Sequence, residues 1–432
     1  MLSAIITEKL DNGLSIYLKE IHSAPIISCW NWYRVGSRLE KEGLTGISHW
    51  VEHMQFKGTN KFPGAQMERM IAREGGTWNA FTHLDWTTYY ETMPANKIEA
   101  ALEIESDRMQ NSVFNLSDFE SERTVILSEK EGKDNDPLSR LNTAVSQIAF
   151  EFHPYRNEAI GEEKDLKQIQ REDLVAHYQK YYQPSNAVIA AAGDFDVTTF
   201  LEKIHKFYDH LPSSPLPEAL ILPEPAILSC KEIEIHGPGD NAYMQIGYRA
   251  PAASDEDFFA YTIIDSLLTG PASLNMFGGG GTSNKTSRLY QKLVEKEIAT
   301  SVFGGLQATI DPFIFDLSIT IHPDQKPEAA LAVVDFEIQR LIEVRINPKE
   351  IERAVKQATA LFAYGLENIT NQAFWLGYSA MFANYSWFTD YIDHLQMVRP
   401  ADVRRVAEKY LNPNTRVVGV YIPEGNQENV EF

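Results

Sequence analysis

His49, Glu52 and His53, in the run His49-Trp50-Val51-Glu52-His53, are the residues whose types and spacing could do chemistry. Two histidines four apart lie one turn apart on one face of a helix. Two imidazole nitrogens so placed can reach one Zn²⁺ at about 2.0–2.1 Å. Glu52 borders the same face, where a carboxylate can take a proton from a water made acidic by the metal. The spacing H-x-x-E-H reverses the commoner H-E-x-x-H. Five residues with three fixed positions also arise by chance, and a helical histidine pair can simply cap a helix or fill a core.

The surroundings favour a packed helix. Gly43-Leu44-Thr45-Gly46 reads as its start, and Gly58 as its C-cap. Leu44, Ile47, Val51 and Met54 form an apolar stripe at helical spacing. A catalytic zinc normally takes three protein ligands and keeps one position open, so a third must come from elsewhere. The candidate segment is 116–131, with Ser117 as a plausible N-cap. Glu122 and Glu129 are seven apart, on one face two turns from each other, and Val125 and Ile126 lie between them on the side read as buried. Two carboxylates on a core-facing stripe are costly unless something positive meets them. One could ligate a metal while the other hydrogen-bonds a ligand histidine. A solvated acidic helix is the alternative.

Taken together, these runs resemble the pitrilysin- or insulysin-type zinc peptidases, the inverzincins, and among them bacterial homologues of the mitochondrial processing peptidase β subunit. His49-x-x-Glu52-His53 matches the motif of that family, and Glu129 lies 129 − 53 = 76 positions beyond His53, close to its third-ligand spacing. Glu122-Arg123-x-Val125-Ile126-x-x-Glu129 resembles its second element. Gly75-Gly76-Thr77-Trp78-Asn79-Ala80-Phe81-Thr82, followed by Thr87-Thr88-Tyr89-Tyr90, resembles its substrate-binding hairpin. The resemblance implies a zinc-dependent metalloendopeptidase acting on oligopeptides or unfolded segments. It implies one Zn²⁺ per protomer on His49, His53 and Glu129, with Glu52 as general base for attack by a metal-activated water. It implies support of the site by Glu122, and substrate held as an added strand at Asn79, Ala80 and Phe81.

The hairpin can also be read without the family. Residues 77–83 and 86–93 are rich in Thr, Trp, Phe and Tyr, which favour strands, with a turn at His83-Leu84-Asp85. An edge strand there could pair with an extended peptide through main-chain hydrogen bonds; an ordinary sheet strand with a buried Phe81 is the alternative. His83 reads as structural. Gly278, Gly279, Gly280 and Gly281 form a glycine-rich run with a Lys285-Thr286 pair after it. It is not a phosphate loop, because Asn284 stands where the last Gly of G-x-x-x-x-G-K-[ST] should be. It resembles the glycine-rich loop of the processing peptidase's non-catalytic α subunit, and a loop contacting substrate is the preferred reading over a flexible helix lead-in.

An internal repeat organises the chain. Lys180-Tyr181 and Pro184 align with Lys409-Tyr410 and Pro413 at an offset of 409 − 180 = 229, and Glu122-Arg123-x-Val125 recurs as Glu352-Arg353-x-Val355 at 352 − 122 = 230. Whole-domain duplication is expected. It gives a metal-bearing catalytic domain at 1–210, a Pro-rich linker at 211–225 and a homologous metal-free domain at 226–432. Glu129 aligns with Thr359, and the helix expected near 258–268 has no His, so the second copy lacks the metal chemistry. The expected class is α+β. Each domain would be an antiparallel-rich sheet with helices on one face, the pair forming a clam-like half-chamber. Ile27–Tyr33 and Tyr243–Tyr248 read as strands, each followed by a helix.

Active members of the resembling family also use an Arg and a Tyr to stabilise the oxyanion. The strand region 303–325 where such a pair is expected contains neither. A homologous metal-free subunit supplying the pair in a heterodimer is therefore expected, with a homodimer as the alternative. The formal net charge of −21 argues against nucleic acid and is compatible with cationic peptides or with solubility alone. Two cysteines, Cys29 and Cys230, give no disulfide framework. Met1–Lys9 lacks a signal or transit pattern, and no run is apolar for long enough to span a membrane, so a cytoplasmic location is expected. The rival function is a non-catalytic scaffold or peptide-binding subunit of the same fold. Such a scaffold would be expected to lack one of His49, Glu52, His53 and Glu129, and all four are present.

Overall fold

The computed structural model describes residues 5–216, 221–271, 283–344 and 346–424. The glycine-rich run Gly278–Gly281 lies outside the described residues. The chain divides into two compact units, each drawn from three segments. Unit 1 comprises Met1–Lys130, Asn157–Ile221 and Gly365–Phe388, and unit 2 comprises Glu131–Arg156, Leu222–Tyr364 and Thr389–Phe432.

Unit 1 is built on a six-stranded sheet. Its strands are β1 (Ile5–Lys9), β2 (Ser15–Glu20), β3 (Ile26–Tyr33), β4 (Thr77–Thr82), β5 (Thr87–Pro94) and β6 (Ala187–Gly193), in the spatial order β1-β2-β6-β3-β5-β4. Only β2 and β6 are parallel; the other neighbours are antiparallel. Alternation along β3 divides two apolar layers. Ile27, Cys29 and Tyr33 join the main core beneath the helices, together with Trp50, Val51 and Met54. Trp30 and Trp32 face the other way and pack against Phe374, with ring centroids 5.3 Å apart in both cases. That residue belongs to the helix Ile369–Phe382, which covers this side of the sheet.

Unit 2 has five strands: β7 (Lys231–Pro238), β8 (Tyr243–Arg249), β9 (Ala299–Gly305), β10 (Ile314–Ile321) and β11 (Arg416–Glu424), in the order β7-β11-β8-β10-β9. Again a single pair, β7 and β11, is parallel. Leaving out β1, the two orders correspond strand for strand, including the position of the parallel pair. The repeat also reaches the caps. Asp173 accepts the Gln170 N–H at 2.8 Å before the helix Arg171–Tyr181, and Asp402 accepts the Arg399 N–H at 2.9 Å before the helix Pro400–Tyr410. Those residues are again 229 apart. One helix of each sequence half packs, within a single unit, on the sheet formed by the other half's strands: Pro137–Ala149, early in the chain, packs on β8 and β11, whereas Ile369–Phe382 packs on β3 and β6.

Three local expectations need correction. The histidine helix runs Ile47–Gln55 and ends with Phe56 as C-cap, so Gly58 lies in the turn beyond. Gly58 is needed there for another reason: its φ is 103°, and a Cβ would sit 2.3 Å from the Gly64 nitrogen. The acidic helix runs Leu116–Asp134, which puts Ser117 inside its first turn. Its buried stripe is Phe119, Glu122, Ile126 and Lys130, at three- and four-residue steps. Val125 falls off that stripe and is 46% exposed.

Candidate metal centre

The histidine helix is fixed by what it buries. Ile47, Trp50, Val51 and Met54 are inaccessible or nearly so. The Trp50 ring stacks on Phe119 of the acidic helix at 4.7 Å, with planes 4° apart. Arg123 caps this stack, its guanidinium carbon 4.8 Å from each ring centroid. The same side chain donates to the carbonyls of Leu166 at 2.5 Å and Ile169 at 2.9 Å. Truncating a buried aromatic of this kind costs about 3–5 kcal/mol, so the two helices are held firmly face to face.

On the facing surfaces the candidate ligands meet. His49 Nε2 and His53 Nε2 each lie 3.8 Å from Glu129 Oε2. One ligand atom from each of the three residues falls within 4.8 Å of the others, and among the described residues this is the one such group of His, Cys, Asp and Glu. Donors on a tetrahedral zinc stand about 3.3 Å apart, so two imidazole nitrogens and a carboxylate at these separations fit the ion after a small contraction. Glu129, on the same face as Glu122, is partly exposed, whereas Glu122 is buried. Glu122 Oε2 lies 2.9 Å from His53 Nδ1, and Lys57 Nζ pairs with its other oxygen. Burial alone would raise this carboxyl, but the bonds from Lys57 and His53 outweigh it and hold Glu122 below the usual carboxylate range.

Glu52 is 9% exposed. Burial pushes its carboxyl up, and the hydrogen bond from the Thr82 hydroxyl, 2.5 Å from Oε2, offsets part of that rise. A carboxylate raised in this way is a better base than a solvated one. Thr82 is the last residue of β4, the edge strand, so the general-base candidate is tied to the end of that edge. Asn79, Ala80 and Phe81 lie on β4 itself. Ala80 is buried, Asn79 is exposed, and Phe81 is partly exposed, with its ring stacked 6.1 Å from Tyr90. His83 stacks on Trp86 at 5.2 Å, and burial lowers its pKa to about 4, so it is a neutral packing residue at pH 7.

The structure thus brings His49, His53, Glu129, Glu122 and Glu52 together, with β4 beside them. Reading the sequence missed Lys57, Thr82 and the stacking role of Arg123. Lys57 lies four residues beyond His53, within one helical turn's reach, which was the available signal; Thr82 had none. In unit 2 the aligned Thr359 spends its hydroxyl on the Val355 carbonyl at 2.8 Å. The helix Phe258–Thr269 buries Asp265, whose carboxylate accepts from Thr269 at 2.5 Å, and carries no histidine.

The chain is similar to known peptidases. The sequence profile of the insulinase family (peptidase family M16) matches residues 15–163, and that described as the peptidase M16 inactive domain matches residues 168–358. Among similar proteins, a probable mitochondrial-processing peptidase subunit beta of Arabidopsis thaliana is 27% identical over 405 residues, covering 93% of this chain and 75% of the relative. The zinc protease PqqE of Helicobacter pylori is 26% identical over 415 residues, covering 93% and 89%. Cytochrome b-c1 complex subunit 1 of Bos taurus is 27% identical over 261 residues, covering 60% of this chain and 54% of that one. The crystal structure of a protease from Helicobacter pylori superposes with a TM-score of 0.91 at 24% identity, covering 98% of this chain and all of that one.

Proposed function

The chain belongs to the insulinase family of peptidases, M16, and from that membership we propose that it is a zinc-dependent endopeptidase cutting oligopeptides or unfolded segments. The observation that carries the proposal is the convergence of His49, His53 and Glu129 on one point, with buried Glu52 beside it. His49 and His53, through Nε2, and the Glu129 carboxylate would hold the ion. Zinc in such a site polarises a carbonyl and brings the pKa of water near neutrality. Glu52 takes the proton from the attacking water and returns it to the leaving amine. Thr82 fixes one Glu52 oxygen by its hydrogen bond. Substrate adds as a strand to β4, where main-chain bonds at Asn79, Ala80 and Phe81 grip it without reading sequence. The end of that strand delivers the scissile bond to Glu52.

A second, homologous subunit is proposed as the source of the oxyanion-stabilising Arg and Tyr. The relative named as a beta subunit supports this reading, and a homodimer is the alternative. The cytochrome b-c1 relative favours the rival reading of a scaffold. The intact set of His49, Glu52, His53 and Glu129 weighs against it. Elemental analysis tests the metal: about one zinc per chain is expected, lost in His53→Ala. A wild-type chain that takes up no zinc from a zinc-supplemented buffer contradicts the proposal.

A further inference from the structure

Glu40 lies outside every motif named above, yet its side chain reaches the start of the histidine helix. Its Oε2 accepts the Gly46 N–H at 2.8 Å and its Oε1 accepts the Ser48 N–H at 2.9 Å. Donors at a helix N-terminus have no partner within the helix, and the N-cap here is Gly46, which has no side chain to offer. Gly46 is itself fixed: its φ is 88°, and a Cβ would sit 2.3 Å from the Ile160 carbonyl oxygen.

Neighbouring groups pin the same turn. Asp165 accepts from the Thr45 N–H at 3.2 Å and the Thr45 hydroxyl at 2.7 Å. The Thr45 oxygen in turn accepts the Glu162 N–H at 2.9 Å. Ser48 Oγ lies 3.3 Å from His177 Nε2. His177 is buried, and burial lowers its pKa to about 3, so it meets Ser48 as a neutral ring. Every residue from Thr45 to Ser48, the four immediately before His49, is thus held by packing or by a hydrogen bond. Burial pushes the Glu40 carboxyl up to about 7, and the bonds from Ser48 and Gly46 are what favour its charged form. The positive end of the helix dipole acts in the same direction.

We infer that Glu40 is a positioning residue for the histidine pair: it replaces the missing N-cap side chain and sets where the helix begins. A helix advances about 1.5 Å and turns about 100° per residue. A change in its first turn therefore alters the height and rotation at which His49 and His53 face Glu129. Glu40 touches neither metal ligand, and its effect passes through the backbone of residues 46–48. This inference rests on the zinc-site reading above.

The test compares zinc affinity, by competition with a chromogenic chelator, in wild type, Glu40→Gln and Asp196→Ala. Gln keeps the size of Glu40 but offers one acceptor oxygen where two N–H groups need partners. Asp196 caps the helix Val197–Tyr208, accepting the Thr199 N–H at 2.9 Å, and serves as a control for losing a cap elsewhere in unit 1. The expected result is zinc binding weakened about tenfold in Glu40→Gln and unchanged in Asp196→Ala. In peptide cleavage, Glu40→Gln should lower kcat and leave KM unchanged. Equal zinc affinity in Glu40→Gln and wild type overturns the inference. An equal loss in Asp196→Ala also overturns it, because the effect would then be one of general stability. A wild-type chain without zinc overturns the metal reading itself, a distinct outcome visible before any variant is compared.

Discussion

His53 Nδ1 and Glu122 Oε2 lie 2.9 Å apart, while His53 Nε2 faces Glu129 at 3.8 Å. The Glu122 contact assigns the two ring nitrogens different tasks. A carboxylate at Nδ1 keeps the proton there and leaves the Nε2 lone pair for a metal. Lys57, paired with the other Glu122 oxygen, holds that carboxylate in its charged form.

Glu122→Gln should therefore weaken zinc binding or activity by about 10–100-fold without abolishing either. The amide keeps the shape but loses the charge, and one of its ends now presents N–H groups to Lys57 or His53. Chelator competition and steady-state cleavage measure the effect. A silent substitution would reduce Glu122 to an ordinary buried carboxylate paired with Lys57.

Much of this site was legible in the sequence, because helical spacing is a strong rule. A pair at i and i+4 shares a face whatever the tertiary context, and the seven-residue step from Glu122 to Glu129 does the same. The pattern could not show which side of the acidic helix is buried at Val125. One helical position, about 100° of rotation, separates it from fully buried Ile126. The exchange of Pro137–Ala149 and Ile369–Phe382 between sheets was also invisible. An apolar helix face announces that it needs a partner surface, and both sheets offer one. Glu40 escaped notice because its contacts run to backbone N–H groups, which carry no side-chain signature.

Asp265 gives unit 2 a pH dependence. Burial raises its pKa from 3.8 to about 7, and the nearby Asp316 carboxyl adds to the rise. Its folded value exceeds its unfolded one, so the stability it contributes is full below about pH 4 and is lost as pH rises through about 7. Asp265→Asn stays neutral and keeps an acceptor for the Thr269 hydroxyl. The variant should gain on the order of 4 kcal/mol over wild type at pH 8 and little at pH 4. Urea unfolding at the two pH values checks this; a difference that does not change with pH would contradict it.

Activity should depend on assembly. Each oxyanion donor is worth about 10²–10³ in rate, so on the proposal that a second subunit supplies the Arg/Tyr pair this chain should be slow alone and faster with a homologous metal-free partner. The measurement is cleavage of an internally quenched peptide by the purified chain and by the reconstituted pair. High activity from a strictly monomeric preparation would contradict the expectation, and high activity from a homodimer would contradict the heterodimer version.

The central claim is that Glu52 performs proton transfer at a zinc held by His49, His53 and Glu129. Its most direct test is the turnover of an internally quenched peptide by Glu52→Gln against wild type, both at equal zinc content and in the same assembly. The amide preserves size and can still accept the Thr82 hydrogen bond, but it cannot take a proton. A fall in kcat of about 10²–10⁴ with zinc retained is the predicted result. Turnover within a few-fold of wild type would contradict the account.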